Sequence, residues 1–165
     1  MKKLWEGVEQ DTGDPLLRHF LARLIDVAQV PARDPVAFTR AVQNYSAHKI
    51  KFFRERPEIF QSAVRTVVWG IGDCDDKARF IAASTRSVRI PTQLKFLQMT
   101  LPDGKKLGHV YPLVWLPSPT GDKWTAVESV RPYPLGYDPE ARARERGYDV
   151  QTFVIGDDAG DQIHM

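Results

Sequence analysis

Residues 70–78 read Gly-Ile-Gly-Asp-Cys-Asp-Asp-Lys-Ala, and they constrain the local fold more than any other part of the chain. The two glycines permit a tight turn. Asp73 is a favourable helix N-cap, because its carboxylate can accept hydrogen bonds from the free amides of a first helical turn. Asp75 and Asp76 place negative charge where the helix dipole stabilises it. The stretch predicts a loop that opens into a helix, with Cys74 in the first turn.

Cys74 is the only cysteine in the chain, so an internal disulfide is excluded, and its position favours chemistry. A helix N-terminus lowers the pKa of a thiol by stabilising the thiolate, which is the nucleophilic form. The same free amides can hold an oxyanion that forms beside the sulfur. The neighbouring carboxylates raise the pKa, so a positive partner such as an imidazolium has to outweigh them. Cys74 is therefore a candidate nucleophile.

Two other interpretations of this stretch stay open. A free cysteine is often a small buried hydrophobic residue without a chemical role. Asp73, Asp75 and Asp76 offer carboxylates to a metal ion, but their spacing fits no calcium loop, which needs further oxygen ligands and a distal glutamate. Helix capping accounts for the three aspartates with fewer assumptions, so no metal site is predicted.

The composition is typical of one soluble globular domain. The chain of 165 residues suffices for a single core, and its 42% hydrophobic and 27% charged residues are ordinary values. A net charge of +2 is too small to indicate nucleic-acid binding by itself. No apolar run is long enough for a membrane span, and the N-terminus lacks the apolar run of a signal peptide. We expect a cytoplasmic protein, and a free thiol suits a reducing compartment.

The first part of the chain predicts helices. Asp14-Pro15 and Asp34-Pro35 each combine an N-cap residue with a proline at the first helical position, which marks two helix starts. Apolar residues at helical spacing follow both pairs. Residues 1–14, in contrast, are polar and turn-prone, and they predict a loose arm.

The second half predicts a small antiparallel sheet packed against the cysteine-bearing helix. That helix should run to about Ser87, and small residues on its inner face should allow close packing. The predicted strands are 92–99, 107–116 and 123–130, followed by a short polar helix over 140–146 and loose residues 156–165. Residues 58–69 are ambiguous and fit a short helix. The predicted fold class is α+β, with residues 1–165 as one domain and its core within about 36–137.

Residues 51–57, Lys-Phe-Phe-Arg-Glu-Arg-Pro, interleave basic and aromatic side chains. Such a pattern can bind nucleic acid, but no flanking motif supports that function. Solvated charges around two core aromatic residues are the simpler interpretation. Nucleic acid is therefore not expected as a partner.

His109 and Glu128 fall in the second and third predicted strands, where side chains alternate between faces. If the hairpin pairs Leu116 with Lys123, Tyr111 lies opposite Glu128. His109 is then a diagonal neighbour of Glu128 on the same face, within about 8 Å. A slip of one residue would place the two on opposite faces. A histidine held by a carboxylate near a helix-start cysteine is the arrangement of an activated thiol nucleophile.

Two residues upstream of Cys74 are candidates for supporting roles. Gln61 carries an amide donor that can bind an oxyanion, although a surface position is the more common role for such a residue. Trp69 directly precedes the glycine turn, where it can pack over the sulfur.

Together these motifs resemble the transglutaminase-like superfamily. The resemblance is carried by residues 69–78 (Trp-Gly-Ile-Gly-Asp-Cys-Asp-Asp-Lys-Ala), 89–91 (Arg-Ile-Pro), 108–111 (Gly-His-Val-Tyr) and 123–128 (Lys-Trp-Thr-Ala-Val-Glu). It covers about residues 40–137, and the cysteine and histidine motifs are its specific parts. Two positions depart from the family pattern: Glu128 stands where aspartate is usual, and Arg89 stands where glycine is usual.

The resemblance implies a papain-like core in which a cysteine-bearing helix packs on an antiparallel sheet that carries the histidine and the acid. It implies Cys74 as nucleophile, His109 as general base and acid, and Glu128 as orienting carboxylate. The implied activity is acyl chemistry on an amide or peptide bond through a thioester. Hydrolysis, as in a protease or amidase, is slightly favoured over transfer to an amine.

The resemblance further implies a peptide or protein amide as substrate and no required cofactor. Calcium, which some larger relatives use, has no recognisable site in this sequence. Small single-domain members occur in bacteria and in tailed phages, so a phage association fits the resemblance. The alternative function is a non-catalytic interaction module that keeps the fold.

Overall fold

The computed structural model describes residues 1–54 and 60–158, which form an α+β protein. Its helices are α1 (Lys2–Thr12), α2 (Pro15–Val27), α3 (Pro35–Lys49), α4 (Ala63–Trp69), α5 (Cys74–Ser87) and α6 (Pro139–Glu145). Its strands are β1 (Lys51–Phe52), β2 (Ile71–Gly72), β3 (Thr92–Thr100), β4 (Lys106–Leu116), β5 (Lys123–Ala126) and β6 (Asp149–Gly156). The predicted α+β class is confirmed. Within the described ranges, no helix has the length and apolar character that crossing a membrane requires.

The two Asp-Pro pairs start helices as predicted. Asp14 accepts a hydrogen bond from the backbone N–H of Leu16 at 2.8 Å at the start of α2. Asp34 accepts one from the N–H of Ala37 at 2.8 Å at the start of α3. In the ambiguous stretch 58–69, α4 is the short helix, whereas residues 58 and 59 lie outside the described residues.

The prediction that residues 1–14 form a loose arm is wrong, because most of them form α1. This helix turns Leu4 and Val8 into the core, where neither is more than 1% exposed. The carboxylate of Asp11 is also buried, and it accepts hydrogen bonds from Nε and Nη2 of Arg79 in α5 at 2.6 and 3.0 Å. The polar composition of this stretch did not predict a helix, because Asp11, which binds Arg79, has the residue type of a surface position.

The main sheet has four antiparallel strands in the order β5-β4-β3-β6. The β4–β5 hairpin has the predicted register, with Leu116 opposite Lys123. However, β5 ends at Ala126, well before the predicted end at residue 130. Strand β6 was not predicted from the sequence; it pairs along β3 and forms an edge of the sheet.

Helix α5 ends at Ser87 as predicted and packs on one face of this sheet. Ala78, Ile81 and Ala82 are fully buried and belong to the same apolar cluster as Leu94 of β3 and Val114 of β4. Small side chains at this contact let the helix approach the sheet closely. The packing fixes where the first turn of α5 lies relative to β4.

The described C-terminal end is more ordered than predicted. Asp157 accepts hydrogen bonds from Nε and Nη2 of Arg86, both at 2.9 Å, and from the backbone N–H of Thr92 at 3.1 Å. The prediction of a loose end is therefore wrong at Asp157. Residues 159–165 lie outside the described residues.

The basic and aromatic segment 51–57 does not place its phenylalanines in the core. Phe52 and Phe53 are 53% and 55% exposed, so the interpretation of two core aromatic residues is wrong. Phe52 belongs to β1, which pairs in parallel with β2 just before Cys74. Residues 55–57 lie outside the described residues.

Candidate functional site

The first turn of α5 is held by the capping arrangement that the sequence predicts. The Asp73 carboxylate accepts hydrogen bonds from the backbone N–H groups of Asp75 and Asp76 at 3.0 and 3.4 Å. The Asp76 carboxylate accepts one from the N–H of Asp73 at 3.3 Å, which completes a capping box. At Gly72, an added Cβ would lie 2.9 Å from the Cβ of Asp76, so the turn requires glycine. Cys74 is the first residue of a firmly capped helix.

Gln61 supports the capping box and is not the predicted oxyanion donor. It is 1% exposed. Its backbone N–H and its side-chain Nε2 donate to the Asp76 carboxylate at 2.8 and 3.1 Å. The prediction is wrong because the side-chain amide of Gln61 donates to the Asp76 carboxylate.

Trp69 does not pack over the sulfur of Cys74. Trp69 is 50% exposed, and the guanidinium of Arg65 lies 3.8 Å from its ring centroid. Among the described residues, neither Trp69 nor Gln61 lines the cavity that contains Cys74. The expectation for Trp69 is therefore wrong.

His109 and Glu128 meet as the predicted register requires. Nε2 of His109 lies 2.8 Å from Oε2 of Glu128. The ring of Tyr111 stacks on the imidazole with centroids 5.8 Å apart, and the Tyr111 hydroxyl donates to Asp138 at 2.7 Å. The imidazole is held by the carboxylate and by the tyrosine ring, and Nδ1 is the ring nitrogen that Glu128 leaves available.

Glu128 is only 4% exposed, yet it is set up to stay ionised. Burial favours the neutral acid, but the hydrogen bond with His109 and those from the backbone amides of Val130 and Arg131 hold the pKa of Glu128 below its ordinary value. The N–H of Val130 donates to Oε1 at 2.8 Å. The carboxylate is therefore ionised at neutral pH and can stabilise an imidazolium beside it.

The early end of β5 exposes the edge of β4 beside His109. The paired residues of β5 reach along β4 only as far as Leu113, opposite Ala126. Beyond this point the backbone N–H of Val110 faces the sulfur of Cys74. The start of α5 thus lies at the open edge of the strand that carries the histidine.

A cavity of about 930 Å³ is lined by Cys74, His109 and Glu128 together. Within the described ranges, no hydrogen bond joins Sγ of Cys74 to His109, and the sulfur instead lies 3.7 Å from Oδ1 of Asp75. The structure therefore brings the three predicted residues to one cavity. His109 is hydrogen-bonded to Glu128, whereas Cys74 is not hydrogen-bonded to His109.

The thiol of Cys74 is not activated in this arrangement. Burial, and then the negative charges of Asp75 and Asp73, raise the pKa of Cys74 to about 12. The N–H of Val110 acts in the opposite direction but does not outweigh them. In this state the effect of the helix N-terminus therefore does not outweigh burial and the two carboxylates. At neutral pH Cys74 is a thiol, and a base has to take its proton before it can attack.

Two side chains of α3 that the sequence analysis missed hold the segment that carries Glu128. Nε2 of Gln43 donates to the carbonyl of Glu128 at 3.1 Å, and Oγ of Ser46 donates to the carbonyl of Ser129 at 2.9 Å. Gln43 and Ser46 are both almost fully buried. With Thr39, which is also buried, they recur at helical spacing, so a polar stripe on one face of α3 was the available signal.

Lys77 is a further buried polar residue that the sequence analysis missed, one turn after Cys74. It is 1% exposed, and its Nζ donates to the carbonyl of Ile50 at 2.9 Å. Burial lowers the pKa of Lys77 to about 8, and the charge of Glu128 acts against that shift. The ammonium and the Glu128 carboxylate are therefore close enough to interact. Nothing in the sequence marks this lysine as inward-facing.

Asp73, Cys74 and Asp75 offer possible metal-ligand atoms within 4.8 Å of one another. However, Asp73 already accepts two amides of the helix start, and the thiol of Cys74 donates to Asp75. Helix capping accounts for this cluster, and we assign no metal to it.

No protein-family model matches the sequence, and a comparison with curated proteins found no match. The functional interpretation of the site therefore depends on its geometry and chemistry.

Iodoacetamide should label Cys74 slowly in the folded protein at about pH 8 and faster as the pH rises. Alkylation proceeds through the thiolate, and a pKa of about 12 in place of 9.0 leaves about a thousandfold less thiolate at this pH. Asp75→Asn removes a like charge and should raise the rate at least about tenfold. Mass spectrometry of time courses checks both expectations, with the urea-unfolded protein as reference. Equal rates for the folded and unfolded proteins would contradict the raised pKa.

Proposed function

We propose that this protein is a papain-like cysteine hydrolase of the transglutaminase-like type. Cys74 is its nucleophile, His109 its general base and acid, and Glu128 the carboxylate that orients the histidine. The observation that carries this proposal is the 2.8 Å contact between His109 and Glu128 in the cavity that Cys74 also lines. Titratable groups with perturbed pKa values that converge in a cavity are typical of catalytic sites.

The raised pKa of Cys74 makes proton transfer part of the acylation step. As Sγ attacks the carbonyl carbon of an amide, Nδ1 of His109 takes the thiol proton, and the carbonyl electron pair moves to the oxygen. The ionised Glu128 stabilises the resulting imidazolium. The imidazolium then gives its proton to the leaving nitrogen, the C–N bond breaks, and the acyl group remains on Cys74 as a thioester.

Hydrolysis of the thioester uses the same groups. His109 takes a proton from water as the water oxygen attacks the thioester carbonyl. Collapse of the intermediate breaks the C–S bond and releases the acid, and the proton returns to the sulfur. Cys74 and His109 then stand in their starting protonation states.

A backbone amide in the first turn of α5 is the candidate donor to the oxyanion, in place of the side chain of Gln61. The Asp73 carboxylate takes the N–H groups of Asp75 and Asp76. The N–H of Cys74, as the first residue of α5, has no partner within the helix. This amide lies next to the attacking sulfur and is our candidate oxyanion donor.

Water is the proposed acceptor, because it needs no binding surface of its own. A primary amine would react with the same thioester and give transfer in place of hydrolysis. Incubation of an acyl-donor peptide with a dansylated amine separates the two outcomes. Release of the free acid supports hydrolysis, and a dansylated peptide supports transfer.

A non-catalytic interaction module is the second candidate function, and the state of Cys74 is the observation that favours it. A thiol with a raised pKa that donates to Asp75 suits a residue without a chemical role. An interaction module does not explain why His109 and Glu128 are hydrogen-bonded in the cavity. It predicts that acyl donors leave Cys74 unmodified in the folded protein.

A short peptide with an electrophilic acyl group at its C-terminus should form a covalent adduct at Cys74. Intact-protein mass spectrometry and peptide mapping detect the adduct, and Cys74→Ala should abolish it completely. The wild-type protein unfolded in urea serves as the comparison. Adduct formation only after unfolding would reject the enzymatic proposal and leave the interaction module.

A further inference from the structure

The cavity that contains Cys74 receives opposite charges from different elements. The start of α5 contributes the carboxylates of Asp73 and Asp75. The loop after β5 and helix α6 contribute basic and aromatic side chains, namely Arg131, Tyr133, Tyr137, Arg142 and Arg146. A substrate that fills this cavity meets negative charge near the sulfur and positive charge along the segment that follows Glu128.

The two tyrosines form a flat aromatic surface beside these arginines. The rings of Tyr133 and Tyr137 stack with centroids 4.0 Å apart and an interplanar angle of 14°. Burial and the neighbouring Tyr133 raise the pKa of Tyr137, while Arg142 and Arg146 act in the opposite direction, so both guanidinium groups lie near its hydroxyl. Tyrosine rings of this kind pack against apolar parts of a peptide and keep a polar edge in water.

Ion pairs on α6 neutralise only some of the basic side chains near the cavity. Glu140 binds Lys95 and Arg144, and Glu145 binds Arg142 at 2.8 Å. Within the described ranges, no carboxylate forms an ion pair with Arg131 or Arg146, although both line the cavity. These two arginines are therefore available to a ligand.

We propose that the acyl donor is a peptide with an acidic side chain, which Arg131 and Arg146 bind beside the Tyr133–Tyr137 pair. The proposal builds on the proposed function and names the substrate class for the same cavity. The acidic residue lies away from the reactive carbonyl, because Asp73 and Asp75 repel negative charge at the sulfur.

A carboxylate fits this surface better than a phosphate group does. A phosphate monoester carries nearly two negative charges and is typically bound by several converging, unpaired arginines. Here the charge of Arg142 is already offset by Glu145. The guanidinium groups of Arg131 and Arg146 suit one or two carboxylates.

Fluorescence anisotropy with Cys74→Ala protein tests the proposal without interference from chemistry. One fluorescein-labelled probe peptide carries glutamates on both sides of a central glutamine, and in the other probe glutamine replaces each glutamate. The acidic probe should bind about fivefold to tenfold more tightly at low salt, as two weak ion pairs would give. The preference should shrink as added salt screens the charges.

Arg131→Gln and Arg146→Gln should each reduce the preference to about twofold. Arg40→Gln removes the same charge from an exposed position on α3 outside the cavity lining, and it should leave the preference unchanged. Equal affinity for both probes overturns the inference, as does a preference that survives both cavity substitutions. Competition by inorganic phosphate at lower concentration than glutamate would also overturn it. Because the binding protein lacks the thiol, its result is independent of whether Cys74 reacts in the wild-type protein.

Discussion

His109→Gln is expected to slow acylation of Cys74 by about a thousandfold, within the range of about a hundredfold to ten-thousandfold that a positioned general base contributes. The reason is the pKa of about 12 at Cys74, which leaves almost no thiolate at neutral pH. A cysteine enzyme with a preformed thiolate keeps part of its reactivity without the base, whereas this thiol has no such reserve. The rate of adduct formation with the electrophilic acyl peptide, measured at about pH 7.5, checks the expectation.

Two further variants separate the chemical role of His109 from its structural surroundings. Glu128→Gln keeps the side-chain shape but removes the charge that stabilises the imidazolium, so a loss of about a hundredfold or more is expected. Tyr111→Phe keeps the ring that stacks on His109 and removes only the hydroxyl that donates to Asp138. It should retain most of the rate. If His109→Gln acylates within about threefold of the wild type, His109 is not the base and the assignment fails.

Local rules were sufficient for the parts of the site that depend on neighbours in sequence. The N-cap role of Asp73 follows from residue type and position, and it is observed. The contact between His109 and Glu128 follows from one hairpin register, which the turn between Leu116 and Lys123 sets. A prediction of this kind needs no knowledge of the rest of the fold, because each step links residues that are close along the chain or across a single hairpin.

The state of the thiol could not be predicted in this way. The helix N-terminus lowers the pKa of Cys74, while Asp73 and Asp75 raise it, and the sequence shows both effects without their sizes. Burial is the largest cause of the raised pKa. The burial of Cys74 depends on its position beside β4. The edge of β4 is open there because β5 ends at Ala126, and no residue in the sequence of β5 marks that end.

Helix α1 and strand β6 were missed for a related reason. In β6 only Val150 is buried, while Phe153 and Val154 are each half exposed, so the strand lacks a clear alternation between buried and exposed residues. It is a strand because β3 offers it a complete set of backbone partners. In α1 the decisive partner of Asp11 is Arg79, far away in sequence.

Arg79→Met is expected to lower the free energy of unfolding by about 3–5 kcal/mol, because it leaves the carboxylate of Asp11 buried without its counter-ion. The side chains of Arg79 and Asp11 are only 9% and 7% exposed, and two hydrogen bonds join them. Asp11 would keep the backbone N–H of Ala63 at 2.7 Å, which offsets only part of a buried charge. Urea denaturation followed by circular dichroism measures the loss.

Two comparisons distinguish a buried pair from the removal of any arginine. Arg142→Met breaks an ion pair whose partners are 51% and 62% exposed, and it should leave the unfolding midpoint nearly unchanged. The double variant Asp11→Leu with Arg79→Met removes the buried charge together with its partner, so it should recover much of the stability. A loss in Arg79→Met no larger than that in Arg142→Met would contradict the role of the pair. A large loss that the double variant relieves would show that the Asp11–Arg79 ion pair holds α1 against α5. The position of the cysteine-bearing helix would then depend on a residue within the stretch that the sequence predicted to be a loose arm.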